Sequence, residues 1–173
     1  MTSWLPTYWK SFYNVGAVTA GTLTALYSLT ASAIRVPGGS LADKIGGERT
    51  AILSLLVTLT GAVFMTTSHS YSYSIVGEFM MAIGMGVCNA AVFKLMPQYV
   101  PQAVGGASGW VGGLGAFGGF VIPPLLGSFV RAAGNSGYAT GFITYIVLAL
   151  LSLGLAFALS RVDIKHIVRQ NYI

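Results

Sequence analysis

A single arginine, Arg35, lies inside a long apolar stretch and is the residue best suited to bind an anion. It stands eight positions before Asp43, where that stretch ends. Eight residues of helix correspond to a depth of about 12 Å. A charge at such depth faces a bundle interior, a cavity or a partner, and a guanidinium offers two parallel donors to a flat oxyanion. Two interpretations stay open: an anion site, and a structural ion pair with Glu78.

Two further polar residues, Glu78 and Asn89, lie inside another apolar stretch. The amide of Asn89 can donate and accept hydrogen bonds in a dry interior, which suits helix packing and ligand contact equally well. Glu78 is the only carboxylate within a predicted membrane span, and we favour a structural or water-facing role for it over that of a proton carrier. The sequence therefore offers few candidates for a proton relay.

A later segment of the sequence is dense in glycine. Its eight glycines are Gly105, Gly106, Gly109, Gly112, Gly113, Gly115, Gly118 and Gly119. On a helix they occupy two faces, and small residues at such spacing let helices approach closely. The helix is therefore packed on both sides, or it exposes backbone to a ligand. Pro123 and Pro124 follow, and we expect them to interrupt the helical hydrogen bonds.

A proline, two glycines and a charged turn come directly after Arg35. Pro37 removes one helical hydrogen bond and predicts a kink. Gly38 and Gly39 permit either close packing or a hinge. The turn itself comprises Asp43, Lys44, Ile45, Gly46, Gly47, Glu48 and Arg49. A carboxylate at a helix end, a glycine turn and a following arginine predict a charge cluster between two helices.

The elements that position these residues are predicted to be membrane helices. Only 8% of the 173 residues are charged, against about 25% in a soluble domain, and the mean hydropathy is +0.73. Five apolar segments reach the roughly 20 residues that span a bilayer. They are 16–42, 50–67, 73–96, 105–130 and 138–160, with short polar breaks at 43–49, 68–72, 97–104 and 131–137. No strand alternation competes, so the fold class is an all-α membrane protein.

Residues 1–13 resemble the end of a sixth helix whose start is absent. The aromatic residues Trp4, Tyr8, Trp9 and Tyr13 there suit a membrane–water interface. The sequence shows no cleaved signal peptide.

The distribution of basic residues predicts the orientation. One side holds Lys44, Arg49, Lys94, Arg161, Lys165 and Arg169, whereas the other holds Lys10 and Arg131. The turn 43–49 and the tail 161–173 are therefore expected to be cytoplasmic, with residues 1–160 forming the membrane domain. The basic residues flank apolar runs, which fits topology better than binding to nucleic acid.

Several other chemistries are not expected. Cys88 is the single cysteine and His69 and His166 stand alone, so neither a disulfide nor a metal site is predicted. No nucleophile–base pair or phosphate loop suggests an enzyme, and no cofactor is expected.

Taken in order, these motifs resemble the nitrate/nitrite porter family of the major facilitator superfamily. The resemblance rests on Leu5–Tyr8, on the run from Arg35 to Arg49, on Asn89–Tyr99 and on the glycine signature 112–120 with Pro123. The family has twelve helices in two halves, with the anion held between them by one arginine from each half. The chain is similar to the second half, from the end of helix seven through helix twelve.

The resemblance implies a role for each motif. It implies that Arg35, Asn89, Gly115, Gly118 and Gly119 contact the anion or its path. The gate or its supporting structure would comprise Gly38, Gly39, Asp43, Gly47, Arg49 and Pro123.

The expected function is therefore half of a secondary transporter that moves nitrate or nitrite across the cytoplasmic membrane by alternating access. Its expected partners are the anion, the lipid bilayer and a missing first half-bundle that carries the second arginine. Because one arginine forms half a site, we expect no transport by this chain alone. The alternatives are a transporter of another small or organic anion, and a non-transporting remnant or assembly partner.

Overall fold

The computed structural model describes residues 1–161, and these form helices joined by short connections. The helices are α1 (Leu5–Phe12), α2 (Ala17–Ala33), α3 (Arg35–Ile45), α4 (Gly47–Thr67), α5 (Tyr71–Tyr99), α6 (Val104–Ala133), α7 (Gly137–Thr140) and α8 (Ile143–Arg161). A single 3-10 turn, Gly134–Ser136, separates α6 from α7. The predicted tail 161–173 lies, apart from the last helical residue, outside the described part of the chain.

Five helical segments are long and apolar enough to cross a membrane, which confirms the predicted fold class. They are Ala17–Ile45, Gly47–Thr67, Tyr71–Tyr99, Val104–Thr140 and Ile143–Ser160. The short helix α1, at eight residues, covers only about 12 Å.

The predicted polar breaks are longer than the observed ones. The turn predicted over 43–49 contracts to Gly46 alone, because its φ of 93° reverses the chain within one residue. Pro97 lies inside α5, which continues to Tyr99. A proline in the last turn of a helix loses only one hydrogen bond, and the amide of Val100 donates to the carbonyl of Met96 at 2.8 Å. The polar composition of these segments therefore predicted connections that are longer than the observed ones.

Pro37 interrupts its membrane segment, as predicted. It has no N–H to donate to the carbonyl of Ala33, which is the last residue of α2. The chain stays locally helical across the gap, since the amide of Ile34 donates to Thr30 at 3.0 Å and that of Gly38 to Ile34 at 2.9 Å. Arg35 consequently opens α3 in the middle of a membrane segment.

Helices α4 and α5 form the closest pair because glycines replace side chains where they meet. A Cβ on Gly61 would lie 2.7 Å from the carbonyl oxygen of Gly77, and one on Gly84 would lie 2.7 Å from that of Ser54. Such distances leave no room for any side chain. The pair therefore forms the centre against which the other helices pack.

The amino-terminal aromatic residues belong to the protein interior. Tyr8 and Trp9 are fully buried and Trp4 is 8% exposed. The ring of Tyr8 lies 5.0 Å from that of Phe142, and the ring of Trp4 lies 5.5 Å from that of Tyr138. These three residues therefore face other helices rather than lipid, because α1 packs against the chain around α7.

The glycine-rich helix α6 is the least packed of the membrane segments. Only 6% of its most apolar window is buried, against 39% for α4 and for α5. Nothing lies within 4 Å of a Cβ placed on any glycine from Gly105 to Gly119. Within residues 1–161, neither glycine face of α6 is used for close packing. Helix α6 continues through Pro123 and Pro124, although neither has an N–H to donate to the carbonyl four residues before it.

Candidate functional site

The start of α3 and the middle of α5 bring Arg35 and Asn89 to one cavity. This cavity of about 350 Å³ is lined by Met1, Thr2, Tyr27, Ser28, Ala31, Ser32, Arg35, Met85, Gly86 and Asn89. Four hydroxyl-bearing side chains share the lining with the guanidinium and the amide. The cavity thus combines one positive charge with several groups that can donate hydrogen bonds.

Arg35 has no protein partner in the described part of the chain. Its side chain is exposed, and it forms no hydrogen bond or ion pair with any of residues 1–161. An arginine that starts a helix within a membrane segment and lacks a carboxylate neighbour retains its full charge and all its donors. The guanidinium is therefore free to bind a ligand.

The structural ion pair between Arg35 and Glu78 is not formed. Glu78 is fully buried, and its Oε2 accepts a hydrogen bond from Nε1 of Trp9 at 3.0 Å. It lies eleven positions before Asn89 on α5, or about 16 Å along the helix. Both the ion-pair alternative and the water-facing role of Glu78 are therefore wrong in this structure.

Two glycines set the distances of α2 and α3 from α5 at this cavity. A Cβ on Gly38 would lie 3.1 Å from the Cα of Val87, and one on Gly86 would collide with the carbonyl of Ala31 and the side chain of Ile34. Of the two interpretations for Gly38, packing is the one with a visible contact. Gly39 has nothing within 4 Å of its Cβ position. Gly38 and Gly86 thus hold Arg35 beside Asn89.

Sequence reasoning missed the importance of Gly86 and of the other α5 glycines. Gly77, Gly84 and Ala91 recur every seven residues, a spacing of small residues that favours close helix contact. That repeat was a usable signal, but the denser glycines of α6 obscured it.

Asn89 also lines a second cavity, which brings in one of the predicted glycines. This cavity of about 520 Å³ lies between α4, α5, α6 and α8, and Gly115 and Tyr145 contribute to its lining. Gly118 and Gly119 lie about one turn further along α6 and contact nothing. Of the three α6 glycines predicted to lie near the anion, Gly115 is therefore the one that lines this second cavity together with Asn89.

The predicted charge cluster forms, but with different partners. Asp43 at the end of α3 pairs with Lys94 of α5, and the hydroxyl of Tyr99 donates to Glu48 at the start of α4. Arg49 is exposed and forms no ion pair with residues 1–161. These contacts tie α3 and α4 to the last turns of α5.

Gly47 supports the same contact. A Cβ there would lie 2.7 Å from Cδ2 of Leu95, so a larger residue would have to displace that side chain for the start of α4 to reach α5. Lys94 was predicted to lie on the same membrane side as the turn, and its pairing with Asp43 agrees with that.

The described residues define a multi-pass α-helical membrane protein with a positively charged cavity at membrane depth. The family model of the Major Facilitator Superfamily matches residues 1–171, so the chain belongs to this superfamily of transporters. The predicted resemblance is confirmed at this level.

Similar proteins carry the names of nitrate transporters. The chain is 31% identical over 169 residues to the "Probable nitrate/nitrite antiporter NarK1" of Thermus thermophilus, covering 87% of this chain and 38% of that protein. It is 30% identical over 167 residues to the "Probable nitrate transporter NarT" of Staphylococcus carnosus, covering 96% of this chain and 40% of the relative. The NarT of Staphylococcus haemolyticus is 28% identical over 168 residues, covering 97% and 41%.

The chain thus spans about two fifths of the length of the curated relatives it matches. No solved structure matches it significantly.

Proposed function

We propose that this chain is the anion-binding second half of a secondary transporter for nitrate or nitrite. The observation that carries the proposal is Arg35, an arginine without a protein partner that lines a polar cavity with Asn89. An uncompensated charge at membrane depth is costly, and a bound anion would offset that cost. The names of the similar proteins supply the substrate class.

The rest of the transporter would cover the open side of this half. Trp110, Phe117 and Phe120 of α6 are 74%, 63% and 75% exposed, and they alternate with glycines whose surroundings are empty. Helix α6 thus presents exposed glycine backbone next to large aromatic rings. Such an uneven surface packs better against a protein of complementary shape than against lipid. The remaining three fifths of the relatives' length would supply a second half-bundle and a second anion-binding arginine.

The transport mechanism would be alternating access around a fixed site. The small residues Gly115, Gly118 and Gly119 would let the first half of the transporter slide against α6 near the anion. Asp43 with Lys94, and Glu48 with Tyr99, would keep the cytoplasmic ends of α3, α4 and α5 moving as one body. By itself, this chain would bind an anion weakly and would not transport it.

A competition assay tests the substrate class. We expect uptake of labelled nitrate, by this chain assembled with its first half in liposomes, to be inhibited by unlabelled nitrite more strongly than by acetate or gluconate. The reason is that a planar anion of three or four atoms can accept paired hydrogen bonds from two guanidinium groups at once. The cavity of about 350 Å³ also has room for a carboxylate, so stronger inhibition by gluconate would establish the organic-anion alternative instead.

The proposed orientation has the turn at Gly46 and the carboxy-terminal tail in the cytoplasm. In a Cys88→Ser background, Lys44→Cys and Ser136→Cys place one thiol at each end of the bundle, and both positions are exposed. We expect an impermeant maleimide to label Ser136→Cys in intact cells, and Lys44→Cys only after the cells are opened. The reverse pattern would mean that the orientation is inverted.

A further inference from the structure

Glu78 is a carboxyl group enclosed between α1 and α5. Its exposed fraction is 0%. Oε2 accepts one hydrogen bond, from the indole Nε1 of Trp9 at 3.0 Å, and Oε1 has no hydrogen-bond partner among the described residues. A carboxylate has room for about four hydrogen bonds, so this group is far from the environment that an ionised form requires.

No positive charge compensates Glu78 from any neighbouring helix of the described chain. From α1, the hydroxyls of Tyr8 and Tyr13 contact Ser74, one turn away. From α2, the hydroxyl of Tyr27 donates to the sulfur of Met85. The other charged groups on the surrounding helices form no ion pair with Glu78 within the described chain; they are Lys10, Arg35, Asp43, Lys44, Glu48, Arg49, Lys94 and Arg131. The hydroxyl of Tyr145 on α8 has no hydrogen-bond partner among the described residues. α4 presents Met65 and Gly61 to Gly77.

Burial of an uncompensated carboxylate is unfavourable even after relaxation, and a single hydrogen bond to it offsets only part of that cost. The neutral acid avoids most of that cost and still accepts the indole N–H through its carbonyl oxygen. The packing of α1 against α5 therefore favours the protonated form.

We propose that Glu78 is a proton-binding site, which holds its proton while α1 and α5 are packed and releases it when the contact between them opens. On release, the O–H bond of the acid breaks, the proton passes to water and a hydrated carboxylate remains. Trp9 is the positioning residue, because its indole closes the space over Glu78. This site lies about three turns from Asn89 along α5 and is independent of whether Arg35 binds nitrate.

The protonation state can be measured directly, because the chain has only two glutamates, Glu48 and Glu78. The Glu48→Gln protein is grown with ¹³C-labelled glutamate and placed in bilayers, so that the one glutamate side-chain carboxyl signal in its NMR spectrum comes from Glu78. Loss of that signal in the Glu78→Gln protein confirms the assignment. We expect the chemical shift of a protonated acid at neutral pH. The shift of a carboxylate at neutral pH would overturn the proposal.

Two substitutions of Trp9 test its coupling to the helix contact. Trp9→Phe loses the N–H donor but keeps the space filled, so the acid signal should persist. Trp9→Ala admits water to Glu78, so the carboxylate signal should appear at neutral pH. If both variants keep the acid signal, packing does not control the proton. If Trp9→Phe alone converts the acid to the carboxylate, the indole hydrogen bond rather than the enclosed space holds the proton, and the proposal fails. No step of this test depends on nitrate transport.

Discussion

Replacing Arg35 with lysine is expected to remove most nitrate uptake from the assembled transporter. Lysine keeps the charge but loses the two parallel donors of the guanidinium. A hydrogen bond to a charged group is worth about 1.5–3 kcal/mol, so losing one of two would lower anion affinity about tenfold to a hundredfold. The measurement is the initial rate of labelled nitrate uptake over a range of nitrate concentrations. A raised half-saturation concentration is the specific sign of the lost contact.

Arg131 offers a matched control, because it lies outside the cavity of Arg35, on the exposed last turn of α6. Arg131→Lys makes the same chemical change outside the cavity and should leave uptake unchanged. The Arg35→Lys substitution should also leave folding intact, since the guanidinium of Arg35 forms no hydrogen bond or ion pair within residues 1–161. Normal uptake by Arg35→Lys would remove Arg35 from the anion site.

The membrane helices could be predicted because span length and apolarity are properties of contiguous sequence. The interruption at Ile34 could be predicted for the same reason, since Pro37 affects the carbonyl four residues before it. The exact turns could not, because a single glycine with positive φ at Gly46 is enough to reverse the chain. Composition cannot tell such a turn from a longer polar loop.

The contacts between distant residues were beyond sequence reasoning. Trp9 and Glu78 are 69 positions apart, and nothing in the local pattern of either residue indicates the other. The same holds for Asp43, whose partner is Lys94 rather than the nearby Arg49. The resemblance implied that Arg35 and Asn89 both contact the anion or its path, and their shared cavity agrees with that without testing their roles.

Helix α5 connects the three polar regions of the molecule. Glu78 near its start contacts α1, and Asn89 lines a cavity together with Arg35. Near its end, Lys94 pairs with Asp43 of α3, and Tyr99 donates to Glu48 of α4. A shift of α5 would therefore alter the surroundings of Glu78, the cavity lined by Arg35 and the contacts with Asp43 and Glu48 together. This arrangement makes the close contact between α4 and α5 the feature most worth perturbing.

Gly84→Ala is expected to destabilise the bundle, because Gly84 lies in the close contact between α4 and α5. The new Cβ would lie 2.7 Å from both the carbonyl oxygen of Ser54 and the amide nitrogen of Thr58. These are backbone atoms, so they cannot rotate away and the helices must separate. Overpacking of this kind costs about 1–3 kcal/mol. Unfolding of the purified chain by sodium dodecyl sulfate in mixed micelles measures the loss.

Gly113→Ala is the matched control, because the same methyl group would enter empty space on α6. In the isolated chain it should leave stability unchanged or raise it by up to about 1 kcal/mol, since alanine is the better helix former. Equal destabilisation by both variants would mean that α6 is packed as closely as α5. If Gly113→Ala instead weakens only the assembled transporter, the added methyl group must meet the other half-bundle. That outcome would assign the glycine faces of α6 to the interface between the halves, because a lipid-facing glycine would accept alanine in either state.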